Sequence, residues 1–163
     1  PRAAFRFLRL KALDGRYVQP KSMPLECMRA KAGPEPARNL GVEVGSPIVM
    51  VRRVLRFEGK PVVIDEMYLS GEAFPGLTME VLKDWHGSLY SLFESRFGVR
   101  MIRAEEKVRA VSADKAVAEM LGVAEGRPLL SVERLAFSYG DKPVEWRRGL
   151  YSTDEYYYAN ELS

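Results

Sequence analysis

A segment of this chain recurs 81 positions further along, and this internal repeat restricts the possible folds more than any other feature. Eight residues of the first copy have identical counterparts: Leu40, Gly41, Val42, Gly45, Pro47, Val51, Arg53 and Gly59 recur as Leu121, Gly122, Val123, Gly126, Pro128, Val132, Arg134 and Gly140. After a one-residue insertion, Lys60, Pro61 and Val62 recur as Lys142, Pro143 and Val144. So many identities in one nearly ungapped alignment indicate a duplicated structural unit.

Each copy has the pattern of a short helix followed by a β-hairpin. A Leu-Gly pair ends the helix, because glycine accepts the left-handed conformation that closes a helix. A run of β-branched and aromatic residues then predicts a strand, a glycine-containing turn follows, and a proline opens the return strand. The predicted helices cover residues 35–40 and 113–121 (with Ser112 before the second), the first strands 47–57 and 128–139, and the return strands 61–69 and 143–151.

The segments outside the hairpins complete an α+β pattern. A helical stripe predicts a helix over residues 88–97, ended by Gly98, and a long strand is expected over 99–111. Shorter strands are expected at 5–11, 25–30 and 156–158. Few helices and many strands indicate an α+β fold around a mainly antiparallel sheet, with a pseudo-twofold axis between the hairpins. A ligand pocket near that axis is the hypothesis that follows.

Length and composition exclude several classes of protein. With 163 residues, 47% hydrophobic and 29% charged, the chain is typical of one globular domain, and it has no apolar run that could span a membrane. The single cysteine, Cys27, cannot form an internal disulfide, which favours the cytoplasm. The single histidine, His86, excludes a two-histidine metal site, and no cofactor is expected. A Cys27/His86 nucleophile pair is possible in principle but has no local signature.

The positive charge is concentrated at the start of the chain. Residues 1–31 contain eight Lys or Arg against two acidic residues, a charge of +6, whereas the remainder carries seventeen against twenty, a charge of −3. The basic segment contains Phe5, Phe7 and Tyr17, so it could contact a phosphate backbone or form an edge strand with outward arginines. The chain begins at Pro1 without an initiator Met, which suggests a piece of a longer protein.

Strand alternation determines which polar side chains can meet. Arg53 shares a strand face with Val51 and Leu55, and Asp65 shares one with Val63 and Met67. On the last return strand, Glu145, Arg147 and Tyr151 share one face, and Trp146 lies on the other, which makes Trp146's face the better core candidate. The polar set, which includes Arg134, is explained either by cross-strand ion pairs on a solvated face or by a ligand site. From the residues alone the solvated face is the favoured interpretation.

The order of these motifs resembles the UTRA domain, the effector-sensing half of HutC-type GntR transcription regulators. The resemblance rests on Leu-Gly-Val, Gly-x-Pro, Arg53, Gly59-x-Pro61, Phe-Pro-Gly-Leu, Ser88-x-Tyr90 and a second unit ending in Pro143-Val144-Glu145. It runs from about Phe5 to the C-terminus, so one domain is predicted over residues 1–163, with repeat copies at about 35–69 and 113–151. It implies a chorismate-lyase-like α+β fold, a homodimer, and an N-terminal winged helix-turn-helix, absent here, that binds operator DNA.

The resemblance also implies a ligand site. The residues that match the family's ligand-binding positions are Arg53, Asp65, Ser88, Tyr90, Glu145 and Tyr151. Ser88 at a helix N-terminus together with Arg53 would suit an anionic small-molecule effector. Members of the family that bind phosphosugars have a second arginine two positions after the first, where this chain has Leu55. Arg52 and Arg56 lie on the opposite strand face, which leaves Arg147 as the substitute and favours a less charged anion, such as a carboxylate.

Two other functions share these features. A lyase that acts on an aromatic carboxylate would use the same fold and the same pairing of arginine with acid, although fold alone does not determine function. A dimerisation module with a degenerate pocket would have the space between Arg53, Ser88 and Glu145 filled by side chains. The whole-chain pattern favours the regulator over both.

Overall fold

The structure, a computed structural model, describes residues 9–162. Six strands form one antiparallel sheet in the order β2-β3-β4-β7-β6-β5, and two short strands, β1 and β8, form a separate ribbon. The sheet contains β2 (Lys21–Lys31), β3 (Pro47–Phe57), β4 (Lys60–Ser70), β5 (Arg103–Ser112), β6 (Pro128–Phe137) and β7 (Pro143–Tyr151). The ribbon pairs β1 (Leu10–Ala12) with β8 (Tyr156–Tyr158). The predicted α+β fold class is confirmed.

The two repeat copies occupy equivalent positions on either side of the centre of the sheet, as a pseudo-twofold axis requires. The first copy supplies β3 and β4, the second supplies β6 and β7, and the return strands β4 and β7 pair at the centre. Each half also has one outer strand, β2 or β5, and one helix, α1 (Pro34–Leu40) or α4 (Lys115–Leu121). The duplication seen in the sequence is therefore a duplication in the sheet.

Turn chemistry explains where most of the elements end. Glu58 and Gly59 both adopt positive φ, 52° and 81°, so the β3–β4 hairpin closes in the tight turn that matches strand twist. The corresponding β6–β7 connection is a 3₁₀ turn at Tyr139–Asp141, and the predicted strand 128–139 therefore ends two residues early, at Phe137. β5 starts at Arg103, later than predicted.

Capping explains the helices. Ser88 caps α3 (Leu89–Phe97) by accepting a hydrogen bond from the Ser91 amide at 3.1 Å, as the sequence predicted. α4 begins two residues later than expected, because the Asp114 carboxylate, which accepts from the Val117 amide at 2.8 Å, is its cap. α2 (Met79–Asp84), capped by Thr78, was not predicted, since six residues are too short for a periodic signal.

Other elements cover the central part of the sheet on both faces. On one face, α1 packs against Ile48 and Trp146, and α4 packs against Val54 and Ile64. The other face, called here the cavity face, carries Arg53 and is covered by α2 and α3 on one side and by the ribbon on the other. An open space remains on the cavity face between the α2–α3 segment and the ribbon.

The ends of the chain are described only in part. The predicted strand at 5–11 includes Phe5 and Phe7, which lie outside the described residues, while β2 does form an edge of the sheet. The predicted strand at 156–158 is confirmed, but it pairs with β1 and not with the main sheet. Among residues 9–162, no helix combines the length and apolar character needed to cross a membrane.

Candidate functional site

A cavity of about 460 Å³ lies on the cavity face, within the size range of metabolite sites. Its floor is the sheet, its roof is the segment that joins α2 to α3, and its mouth is formed by the approach to β2. The floor contributes Val51, Arg53, Leu55, Arg134, Arg147 and Tyr151; the roof contributes Leu82, Lys83, Trp85, His86, Gly87, Ser88, Leu89 and Tyr90; the mouth contributes Gln19, Pro20, Lys21, Ser22 and Pro24.

The polar residues of the floor are buried. Arg53, Arg134 and Arg147 expose between 3% and 7% of their surface, and Asp65 and Glu145 expose none. The interpretation of this set as ion pairs on a solvated face is therefore wrong, because α2, α3 and the ribbon cover the face that carries them. Trp146 is buried as expected, but the prediction that its face is the better core face is wrong: Glu145, Arg147 and Tyr151 are all buried, whereas Arg148 on Trp146's face is exposed. Strand alternation does not show which face the rest of the chain covers.

Asp65 joins two of the arginines. Its Oδ2 atom accepts from Nε of Arg53 at 3.0 Å and lies 2.9 Å from Nη2 of the same side chain. Nη1 of Arg147 lies 3.6 Å from that oxygen, and Nη2 of Arg147 donates to Oε2 of Glu145 at 2.7 Å. Two fully buried carboxylates therefore hold the guanidinium groups in place, as buried charges require.

The third arginine extends this network toward the ribbon. The Tyr90 hydroxyl donates to Oε1 of Glu145 at 2.6 Å and accepts from Nη1 of Arg134 at 3.3 Å. Nε of Arg134 donates to Oε2 of Glu106 at 2.7 Å, and the Tyr158 hydroxyl donates to both oxygens of Glu106 at 2.6 and 2.7 Å. A continuous chain of polar contacts thus runs from the cavity floor to β8.

Burial and neighbouring charges act on the pKa of each arginine. Burial lowers the pKa of Arg53, and Arg147 adds to the decrease while Asp65 opposes it. Burial also opposes the charge of Arg147, but Glu145, Tyr90 and Asp65 outweigh it and raise the pKa of that guanidinium. A guanidinium keeps its proton in proteins, so the floor presents three cations.

Burial raises the pKa of Tyr151 to about 12, and Asp65 adds to the rise while Arg134 and Arg147 oppose it. The folded state therefore keeps this proton where the unfolded chain, with a pKa near 10, loses it. The resulting stabilisation is complete below pH 10 and is lost as the pH rises toward 12, at about 1.4 kcal/mol per pH unit.

We expect the free energy of unfolding of Tyr151→Phe, measured by urea denaturation from pH 9 to 12, to decline less steeply with pH than that of the wild type. Equal slopes would contradict this.

The structure separates the six residues expected to bind ligand into two groups. Arg53, Ser88, Tyr90 and Tyr151 line the cavity. Asp65 and Glu145 are not in its wall but lie behind it, bonded to the arginines that are. The wall beside Arg53 includes Leu55, and Arg147 also faces the cavity.

Several lining residues were missing from the expected site. There was a reason in the sequence to include Arg134, because it is the counterpart of Arg53 in the repeat. Arg147 was considered only as a substitute for the second arginine of the family. Trp85, Lys21 and Lys83 had no signal, because they lie near element ends or in a connection whose path the sequence does not predict.

Gly149 is a further residue that sequence reasoning missed. It lies opposite Asp65 in the β4–β7 register, and a Cβ atom there would come 2.9 Å from Oδ1 of Asp65 and 2.7 Å from Cε1 of Tyr151. Only glycine leaves room for both side chains in their present positions.

Comparisons with known proteins show the family to which the sequence and the fold belong. The family model for the UTRA domain matches residues 15–157. The HTH-type transcriptional repressor PhnF of Mycolicibacterium smegmatis is 31% identical over 115 residues, which cover 71% of this chain and 46% of the relative. A probable fructoselysine utilization operon transcriptional repressor of Escherichia coli is 26% identical over 76% of this chain and 50% of its own length. The chain thus spans about half the length of these relatives.

Solved structures give the same result. The ligand-binding domain of a GntR-family transcriptional regulator from Bordetella bronchiseptica superposes with a TM-score of 0.94 at 48% identity, covering 97% of this chain and 98% of that one. PhnF from Mycobacterium smegmatis superposes with a TM-score of 0.79 at 24% identity, covering 90% and 64%. By the family match and by this structural likeness, the chain belongs to the UTRA domain family of GntR-type transcriptional regulators.

Proposed function

We propose that this domain senses a small anionic effector in the cavity and thereby changes operator binding by a winged helix-turn-helix domain located N-terminal to it in the full protein. Two relatives described as HTH-type transcriptional regulators are about twice as long as their matched segments, which supports this arrangement. In the same proposal the domain acts in the cytoplasm as part of a homodimer, and effector binding shifts the balance between two states of that dimer.

One observation supports the proposal that the effector is an anion: the charged side chains that line the cavity are all cationic. Arg53, Arg134 and Arg147 form part of the floor, Lys83 belongs to the roof and Lys21 to the mouth. No aspartate or glutamate among residues 9–162 belongs to the wall. α3 adds the positive end of its helix dipole, with Ser88 at its cap. Such a lining attracts an anion and repels a cation.

The enzyme alternative has weaker support. A lyase needs a group placed to move a proton at the substrate. The buried acids Asp65 and Glu145 are bonded to arginines behind the cavity wall, so the groups left to move a proton are the histidine, lysines and tyrosines of the lining. The family match to transcriptional regulators favours binding over such a reaction. The degenerate-pocket alternative loses support because the space between Arg53 and Ser88 is open. We therefore propose a binding role without catalysis.

The test is a calorimetric titration of this domain with a panel of carboxylates and phosphate esters, followed by variants. Arg53→Lys keeps a positive charge beside Asp65 but removes the planar fork that binds anions, so we expect at least about a tenfold loss of affinity for any anion that binds. Arg52→Lys is the matched control, because Arg52 is the adjacent residue, lies on the opposite face of the sheet and forms ion pairs with Glu26 and Glu66. We expect the Arg52→Lys variant to bind the anion with the affinity of the wild type. Equal affinity in Arg53→Lys and the wild type would contradict the proposed site.

A further inference from the structure

We propose, on the basis of the proposed effector site, that the effector is a monocarboxylate with a flat apolar stem and not a phosphate ester or a sugar derivative. The carboxylate binds at the arginine floor and the stem lies against the roof at Trp85. Three independent features of the cavity support this: its charge balance, its available hydrogen-bond donors and the composition of its wall.

The buried charges favour an anion of low charge. The three floor arginines face two fully buried carboxylates, Asp65 and Glu145, and a third carboxylate, Glu106, bonds to Arg134 at 2.7 Å with 24% of its side chain exposed. The cations of the floor are therefore largely compensated within the protein. A monoanion adds less uncompensated charge to this cavity than a phosphate ester, which carries about −1.5 to −2 at neutral pH.

The donors also match a carboxylate. Arg53 uses Nε and Nη2 on the same oxygen of Asp65, and no residue among 9–162 accepts a hydrogen bond from its Nη1. Within the described part of the chain, the carboxylate contact of Arg147 Nη1 is with Asp65 at 3.6 Å, which is too long for a hydrogen bond. Both side chains line the cavity and are more than nine-tenths buried. Two guanidinium groups therefore each have donor capacity for one of the two oxygens of a carboxylate.

The apolar residues of the floor and roof suit an apolar stem. Val51, Leu55, Leu82 and Leu89 are buried side chains that cannot hydrogen-bond with sugar hydroxyls, and a hydroxyl buried against them would lack a partner. Leu55 stands two residues from Arg53 on the same face of β3, so the apolar wall begins next to the anion-binding groups.

Trp85 provides a fixed aromatic surface. Its Nε1 donates to the Ser88 carbonyl oxygen and to Oγ of Ser91, both at 3.1 Å, which holds the indole in one orientation. A Cβ atom at Gly87 would lie 3.2 Å from that nitrogen and 3.1 Å from the Ser91 hydroxyl, so glycine lets the chain approach the indole closely. A held indole in a cavity wall favours offset stacking with a flat stem.

The experiment compares two probes that share one stem, benzoate and phenyl phosphate, with benzamide as the uncharged control. Each is titrated into the domain at pH 7.5, and the heat of binding is followed together with the intrinsic fluorescence, which comes from Trp85 and Trp146. We expect benzoate to bind at least about tenfold more tightly than phenyl phosphate and benzamide. We also expect Trp85→Leu to reduce the affinity for benzoate several-fold while the affinity for acetate, which has no stem to stack, stays unchanged.

The outcomes separate the inference from the proposed function on which it rests. Phenyl phosphate bound as tightly as benzoate, or more tightly, overturns the monocarboxylate while the effector site stands, provided that Arg53→Lys weakens that binding. Benzoate affinity unchanged in Trp85→Leu overturns the placement of the stem. If neither anion binds at millimolar concentration, the assignment of a monocarboxylate is overturned. The effector site itself is then tested separately by the titration with other carboxylates and phosphate esters and by the Arg53→Lys variant.

Discussion

Replacement of Asp65 by asparagine is expected to lower the free energy of unfolding by about 3–5 kcal/mol. Asparagine has nearly the same shape, so the packing is retained, but the negative charge between Arg53 and Arg147 is lost. Asp65 is fully buried and holds both guanidinium groups through Oδ2. Removing one partner of a buried ion pair leaves an uncompensated charge in a medium of low dielectric constant.

Urea denaturation at pH 7.5, followed by circular dichroism, measures this loss. Glu66→Gln is the matched control: Glu66 is the next residue along β4, on the opposite face, where it bridges Arg148 and Arg52 with about a third of its side chain exposed. Surface ion pairs of this kind contribute less than about 1 kcal/mol. A loss in Asp65→Asn no larger than in Glu66→Gln would show that the floor arginines are compensated by something other than Asp65.

The second large effect is expected from Gly149→Val, which should destabilise the domain by about 3 kcal/mol. The added Cβ alone would lie 2.7 Å from Cε1 of Tyr151 and 2.9 Å from Oδ1 of Asp65, well inside van der Waals contact. Neither neighbour can move cheaply, because Tyr151 is packed in the core and Asp65 is held by two arginines. The strain therefore falls on the residues that shape the cavity floor.

Gly33→Val is the control for Gly149→Val. Nothing lies within 4 Å of a Cβ at Gly33, and its φ of −73° is accessible to any residue. Thermal unfolding should show a clear decrease in melting temperature for Gly149→Val and little change for Gly33→Val. Equal melting temperatures for the two variants would mean that the sheet shifts to accommodate the new side chain.

The repeat allowed much of the fold to be predicted, because each copy contains its own turn and cap signals. The bounds of β3 were predicted to the residue, since Pro47 opens the strand and the Glu58-Gly59 pair closes it. α4 was displaced by two residues because Ser112 and Asp114 can both cap a helix, and the local sequence does not select between them. Local chemistry thus predicts elements well and their ends less well.

The site was predicted in parts for a related reason. Strand alternation correctly grouped Glu145 with Arg147 and Tyr151, but alternation does not say whether a face is covered. That depends on α2, α3 and the ribbon, which are brought over the sheet by tertiary packing. Trp85 lies next to the end of a helix of six residues that has no periodic pattern, so nothing local marks it as a cavity residue.

The symmetric order of the strands, with β4 and β7 at the centre, has a consequence for how the domain folds. Within the six-stranded sheet, pairing inside each half joins strands that are near in sequence, whereas the β4–β7 pairing joins the two halves, with registers such as Asp65 to Gly149. Loop closure over that separation has a larger entropic cost, so we expect this central seam to form after the two half-sheets. The cavity floor spans the seam. We therefore expect an effector bound there to hold the two halves together and to slow the opening of the seam, measured by hydrogen exchange, more than the opening of either half.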